Sequence, residues 1–220
     1  MAAATQMFSE PDDVDERLSQ LNLTPEVFDK AALEGYAAFN ECTPNHPPTF
    51  AGTAAWAETN RSIRDGLFPS KWSPKNETNQ PLVINESGSM AITSVSGDEY
   101  TGRKDGFPST RSSKGERTAE AVRANQFVFS FMEELAPIIA STKVTGRATW
   151  LFLVYRDMRL EEIRYELSLP RSITEDGQID GWIERIIFPP KKFGPTATRK
   201  NGEDEGGQSP EINVEIRKIN

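Results

Sequence analysis

Between Gly97 and Arg117 the chain concentrates the residue types that bind anions. Arg103, Lys104, Arg111, Lys114 and Arg117 are opposed after residue 102 only by Asp105 and Glu116. Five cations against two anions make this window positive inside a chain whose formal charge is −8. Ser109, Thr110, Ser112 and Ser113 add hydroxyl donors. The segment runs into an expected helix start at Thr118, where unpaired amides and the helix dipole favour negative charge. Arg103, Lys104, Arg111, Lys114, Arg117 and Thr118 therefore form a candidate site for phosphate or another anion. The Gly-x-x-x-x-Gly-Lys-Ser/Thr order of a P-loop is absent. The bland alternative is a solvated loop whose cations pair with neighbouring acids.

A second chemistry rests on carboxylates. Asp98 and Glu99 fall at the end of an expected strand, a frequent position for metal ligands and acid/base groups. With Glu166, or with Asp157, Glu161 or Glu162, they would make a site for Mg²⁺ or Mn²⁺ in a hydrolase of nuclease type. Carboxylate nucleases of the restriction-enzyme kind place a lysine two residues after a strand acid. The nearest patterns here are Glu162-Ile-Arg164 and Glu215-Ile-Arg217, and arginine stays protonated and cannot act as a base. Turn-capping acids are the alternative.

Other candidates have structural explanations. Arg156, Arg159, Arg164, Arg171 and Arg185 alternate with Glu161, Glu162, Glu166 and Glu184, as expected for cross-strand ion pairs on a solvated sheet face. Trp56, Trp72, Trp150 and Trp182 read as core or loop anchors. A sheet offering aromatics and arginines on one face would also suit single-stranded nucleic acid, but no RNA-recognition signature accompanies it. His46 is the only histidine and Cys42 the only cysteine, so mechanisms needing two imidazoles are excluded. Their spacing allows a dyad, yet the prolines between and after them favour an exposed linker pair.

At 220 residues and an apolar share of 36%, the chain has material for one substantial core and an unburied remainder. A pI near 4.9 argues against a surface built throughout to coat DNA or an anionic membrane. The apolar run Trp150–Tyr155 is too short to cross a bilayer, and Met1–Phe8 lacks the pattern of a secretory signal. Cysteine usage fits a reducing compartment. The expectation is a cytoplasmic protein without a membrane partner.

The elements that must position these residues are read from periodicity. Residues 1–20 are acidic and poor in aromatics, and are expected to be a disordered lead-in. Thr24-Pro25-Glu26 starts a helix over 24–40, and Trp56, Asn60, Ile63 and Leu67 trace one over 53–67. Residues 72–80 read as a loop. Residues 81–85 and 89–95 form a hairpin across Glu86-Ser-Gly88. Residues 97–117 make a long flexible loop, followed by a third helix over 118–136. Strands follow at Trp150–Tyr155, Ile163–Leu169, Trp182–Phe188 and Ile212–Ile216, with an acidic linker at 200–209. The expected fold over 21–220 is a single α+β domain: a mainly antiparallel sheet with three helices packed on one face.

Trp56-x-x-Thr-x-x-x-Ile-Arg-Asp65, Ser96-Gly-Asp-Glu-Tyr-Thr-Gly102, Pro108-Ser-Thr-x-x-x-Lys-Gly115 and Glu166-Leu-Ser-Leu-Pro170 together resemble an uncharacterised group of small bacterial proteins carried on mobile elements. The resemblance covers residues 50–190 and implies a bacterial accessory protein; it brings no activity and no catalytic residue. The favoured function is non-enzymatic binding, without a cofactor, of a nucleic-acid or acidic protein partner through the 97–117 loop. A metal-dependent hydrolase is the first alternative. A protein–protein interaction module, docking through its acidic N-terminal segment or first helix, is the second.

Overall fold

Helical periodicity and turn chemistry divide the first hundred residues into short, well-bounded elements. In the computed structural model, which describes residues 4–77, 80–111, 122, 125 and 147–193, these begin with β1 (Gln6–Phe8), α1 (Pro11–Gln20), α2 (Pro25–Asn40) and α3 (Phe50–Leu67). A 3₁₀ turn at Phe68–Ser70 leads into β2 (Ser73–Glu77), β3 (Gln80–Ile84) and β4 (Met90–Ser96). After the 97–147 connection come β5 (Ala148–Asp157), β6 (Glu162–Ile173), β7 (Ile179–Ile187) and β8 (Lys191–Lys192). Among the described residues no helix is long and apolar enough to cross a membrane.

The strands form one eight-stranded sheet in the order β1-β7-β6-β5-β4-β3-β2, with β8 also paired to β6. The sheet is mixed, which corrects the expectation of a mainly antiparallel one, although α+β holds. β4 lies parallel to β5 over Met90–Ser96, and β1 lies parallel to β7. The expectation rested on short turns between successive strands. The long 97–147 connection instead returns the chain to the end of the sheet where β4 began, and a strand entered from that end runs parallel.

Residues 6–20 are also part of the fold rather than a disordered lead-in. Pro11 occupies the first turn of α1, Asp12 and Asp13 follow it, and Arg17 stands in the last turn, all suited to the dipole. Val14 and Leu18 face inward, Leu18 with no exposed surface. Arg17 reaches the buried Glu184 of β7 with two hydrogen bonds. Two apolar residues one turn apart, each contributing about 1.5–3 kcal/mol on burial, suffice when a preformed sheet receives them.

α1, α2 and α3 cover one face. Phe28 of α2 packs against Phe152 and Phe188 at centroid distances of 5.2 and 5.3 Å, and Tyr165 stacks on Phe188. α2 and α3 meet at Gly35, where a Cβ would lie 2.1 Å from Thr59 Oγ1; only glycine permits this approach. The expected third helix, 118–136, lies outside the described residues except for Val122 and Asn125, both helical. Val122 joins Leu151, Leu153, Ile179 and Trp182 in a second core cluster. Leu151 and Leu153 alternate along β5 with Trp150, Phe152 and Val154 of the helix-side core, so this cluster, with Val122, lies on the face opposite α1, α2 and α3. Asn125 fastens there by accepting from Thr149 N–H (2.9 Å) and donating to the Thr149 and Pro170 carbonyls. The expected 200–209 linker and 212–216 strand lie outside the described residues.

Residues 73–77, read as a loop, are strand β2, paired antiparallel with β3. Arg64 of α3 donates to the carbonyls of Lys75 and Leu82 and ties both strands to the helix.

Candidate anion-binding groove

β4 keeps its partner β3 only as far as Ile92, so the edge of its carboxyl-terminal half is open. Three groups close it. Asn60 Oδ1 of α3 accepts the Ser94 N–H at 3.0 Å, Trp56 Nε1 donates to the Ser94 carbonyl at 3.1 Å, and the Arg111 N–H donates to the Ser96 carbonyl at 2.9 Å. Asn60 Nδ2 also donates to the Trp56 carbonyl one turn back. Trp56 and Asn60 therefore hold the first half of α3 against the end of β4, and Arg111 arrives beside them.

Arg111 is carried by the loop that starts at Gly97, and that loop is fastened over residues 97–111. Asp98 accepts the amides of Tyr100 and Ser109, and Gly97 bridges Thr110. Glu166 of β6 and Arg185 of β7, 0% and 2% exposed, pair at 2.7 Å beneath the loop. Glu166 accepts the Gly102 N–H at 2.8 Å, and Arg185 donates to the Gly106 and Arg103 carbonyls. Trp182 Nε1 holds the Pro108 carbonyl. Gly102 has φ +71°, and a Cβ there would sit 2.9 Å from Arg164 Cβ, so the turn requires glycine. The sheet face expected to be solvated is covered here: Arg164, Glu166, Ser168 and Arg185 are buried, and the loop lies against them. With no water to satisfy them, Glu166, Ser168 and Arg185 pair with one another and with loop backbone, while Arg164 pairs with Asp157.

The cations proposed from sequence separate into different roles. Arg103 is exposed and paired with Asp105; Lys104 is exposed and paired with Glu10. Lys114, Arg117 and Thr118 lie outside the described residues. Arg111 has no carboxylate partner among the described residues; instead it lines the same groove as Arg156, near the end of β5, close enough for its charge to act on that guanidinium. Arg156 lies over the Phe39 ring at 4.3 Å and likewise has no carboxylate partner among the described residues. Burial, and then the nearby Arg111 charge, push the Arg156 pKa down. An anion between the two guanidiniums would offset both effects through its opposite charge.

The two arginines, Phe39, Thr49, Thr53 and Trp56 line a groove of about 670 Å³. It opens where the parallel strands β4 and β5 end and where α3 begins. The Phe50 N–H donates to Pro47 and the Thr53 N–H to Thr49. Ala51 and Gly52 N–H have no backbone acceptor among the described residues, as expected for a helix start. Among the described residues the lining offers cations, hydroxyls and aromatic surface but neither carboxylate nor imidazole. The arrangement can bind and orient an anion.

The carboxylates considered for metal do not converge. Both Asp98 oxygens hold loop amides, Glu99 is exposed, and Glu166 is engaged by Arg185, Gly102 and Ser168. Among the described residues no group of three acids, histidines or cysteines is arranged to hold an ion. Cys42 and His46 do not face each other as a dyad: the thiol donates to the Ala38 carbonyl, while His46 Nδ1 accepts the Thr43 N–H and its ring stacks on Phe50.

Arg156, Phe39 and Trp56 were not placed in a site by sequence. The available signals were an arginine closing an apolar strand run and a tryptophan one turn before an asparagine on the same helix face. No family model matches the chain, and no curated protein or solved structure is significantly similar to it.

Proposed function

We propose that this protein is a cytoplasmic, non-enzymatic binding protein whose Arg111–Arg156 groove takes a phosphate-bearing ligand. One observation carries the reading. Two guanidiniums without carboxylate partners among the described residues converge in a groove, in a chain carrying 33 acids against 25 lysines and arginines. With acids in excess, a pair of like charges left together is an unspent attraction for a negative ligand. Arginine's planar fork suits phosphate oxygens in particular. Of the loop cations, the reading assigns Arg111 to the ligand and leaves Arg103 and Lys104 with their acids.

The test is calorimetric titration with inorganic pyrophosphate at low salt. The parent should bind, and Arg111→Ala with Arg156→Ala should weaken binding by tenfold or more, since charge-assisted hydrogen bonds are worth about 1.5–3 kcal/mol each. Arg103→Ala with Lys104→Ala should bind as the parent does. Equal affinity of the parent and the Arg111/Arg156 variant would refute the reading.

A further inference from the structure

Trp56 is the only one of the four tryptophans that is not buried: it is 37% exposed, whereas Trp72, Trp150 and Trp182 are at most 3% exposed. Its indole N–H is fixed to the Ser94 carbonyl, so the ring plane is set before any ligand arrives. The same ring borders a second groove of about 460 Å³, where Phe68, Pro74 and Pro81 give apolar surface and Asn60, Arg61, Arg64 and Asp65 give polar surface. Phe68 stands 71% exposed at this wall. Trp56 is thus shared by two adjoining spaces, one with Arg111 and Arg156 and one whose walls combine Phe68 and two prolines with polar side chains. Both fall in the range of small-molecule sites, roughly 300–1,000 Å³, and offer far more room than a lone phosphate needs.

From this juxtaposition we infer that the ligand is a nucleoside phosphate, its base stacked on Trp56 and its phosphate held between Arg111 and Arg156. The inference rests on the anion-binding reading and adds the planar half of the ligand. A fixed aromatic face accepts any base, because every base has a π-surface. An extended acidic peptide fits less well. Strand addition needs free backbone groups along an edge, and on the open half of β4 the Ser94 and Ser96 groups are already taken by Trp56, Asn60 and Arg111.

Tryptophan emission reads the contact directly, since one indole of the four meets solvent. Adenosine monophosphate should quench part of the emission and shield it from acrylamide, and pyrophosphate should do neither. The nucleotide should bind on the order of tenfold more tightly than pyrophosphate, the usual gain from one stacked base. Trp56→Ala should lose that advantage while retaining pyrophosphate binding, and Trp56→Phe should keep much of it. The acrylamide measurement on the parent needs no variant to fold. Ten-residue oligothymidylate binding more tightly than the mononucleotide, with steep salt dependence, would mark single-stranded nucleic acid as the source; equal affinity would mark a free nucleotide.

Pyrophosphate binding as well as the nucleotide, with acrylamide access unchanged, would overturn the inference and leave the anion site standing. Displacement of pyrophosphate by a polyglutamate peptide but not by the nucleotide would overturn it in favour of an acidic protein. Failure of the parent to bind either pyrophosphate or the nucleotide would overturn both readings.

Discussion

Charged side chains in this protein fall into three groups by what surrounds them. Exposed pairs such as Arg103–Asp105 and Lys104–Glu10 are surface neutralisations worth little. Glu166 and Arg185 are buried and fully engaged, and their hydrogen bonds reach the loop that carries Arg111. Arg111 and Arg156 line one groove as like charges, which folding alone does not reward. Glu166→Gln should therefore act at a distance from the groove. It leaves the Arg185 charge buried without a countercharge, at a cost of about 3–5 kcal/mol, which a urea midpoint will read. A loss below about 1 kcal/mol would mean that the pair does not hold the loop. At this scale the sequence marked the basic loop but not its sorting. Arg103 and Arg111 are the same residue type in the same segment, and only the presence of Asp105 beside one and Arg156 beside the other distinguishes them.

Elements whose signals are local were legible. Pro25 and Gly88 mark a helix start and a hairpin turn through their own backbone preferences, and α2, α3, β3 and β4 follow from them with small boundary shifts. α1 and β2 were not legible, because neither stabilises itself. α1 carries two inward residues in an acidic decapeptide, and β2 is an exposed edge strand of Ser, Pro, Lys, Asn and Glu. Both depend on a surface built by other parts of the chain. Leu18→Ala should accordingly cost about 2–5 kcal/mol, the range for a leucine truncated in a packed core. A thermal or urea midpoint unchanged by this substitution would show that residues 11–20 are not docked.

Across the whole molecule, the two ends of the long connection meet different parts of the sheet: residues 97–111 cover β6 and β7, and Arg147 anchors the entry to β5. Arg147 holds Glu77 of β2 through two hydrogen bonds and keeps its carboxyl down at about 2. A depressed carboxyl pKa contributes stability that is present above the unfolded value of about 4.5 and lost as pH falls through about 2. The side chains are 30% and 35% exposed, so the contribution is at most about 1 kcal/mol. The gap in urea midpoint between the parent and Glu77→Gln should narrow steadily from pH 5 to pH 2; a gap independent of pH would exclude this pair as its origin. By itself the sequence determined the α+β class, the two central helices, the β3–β4 hairpin and the three long strands after residue 147, because caps, turns and periodicity act between neighbouring residues. Only the tertiary structure decided that the sheet is mixed, that its second face is covered, and that Arg111, Arg156 and Trp56 share one groove. Those outcomes depend on which distant segments come to lie side by side, and no local pattern encodes that.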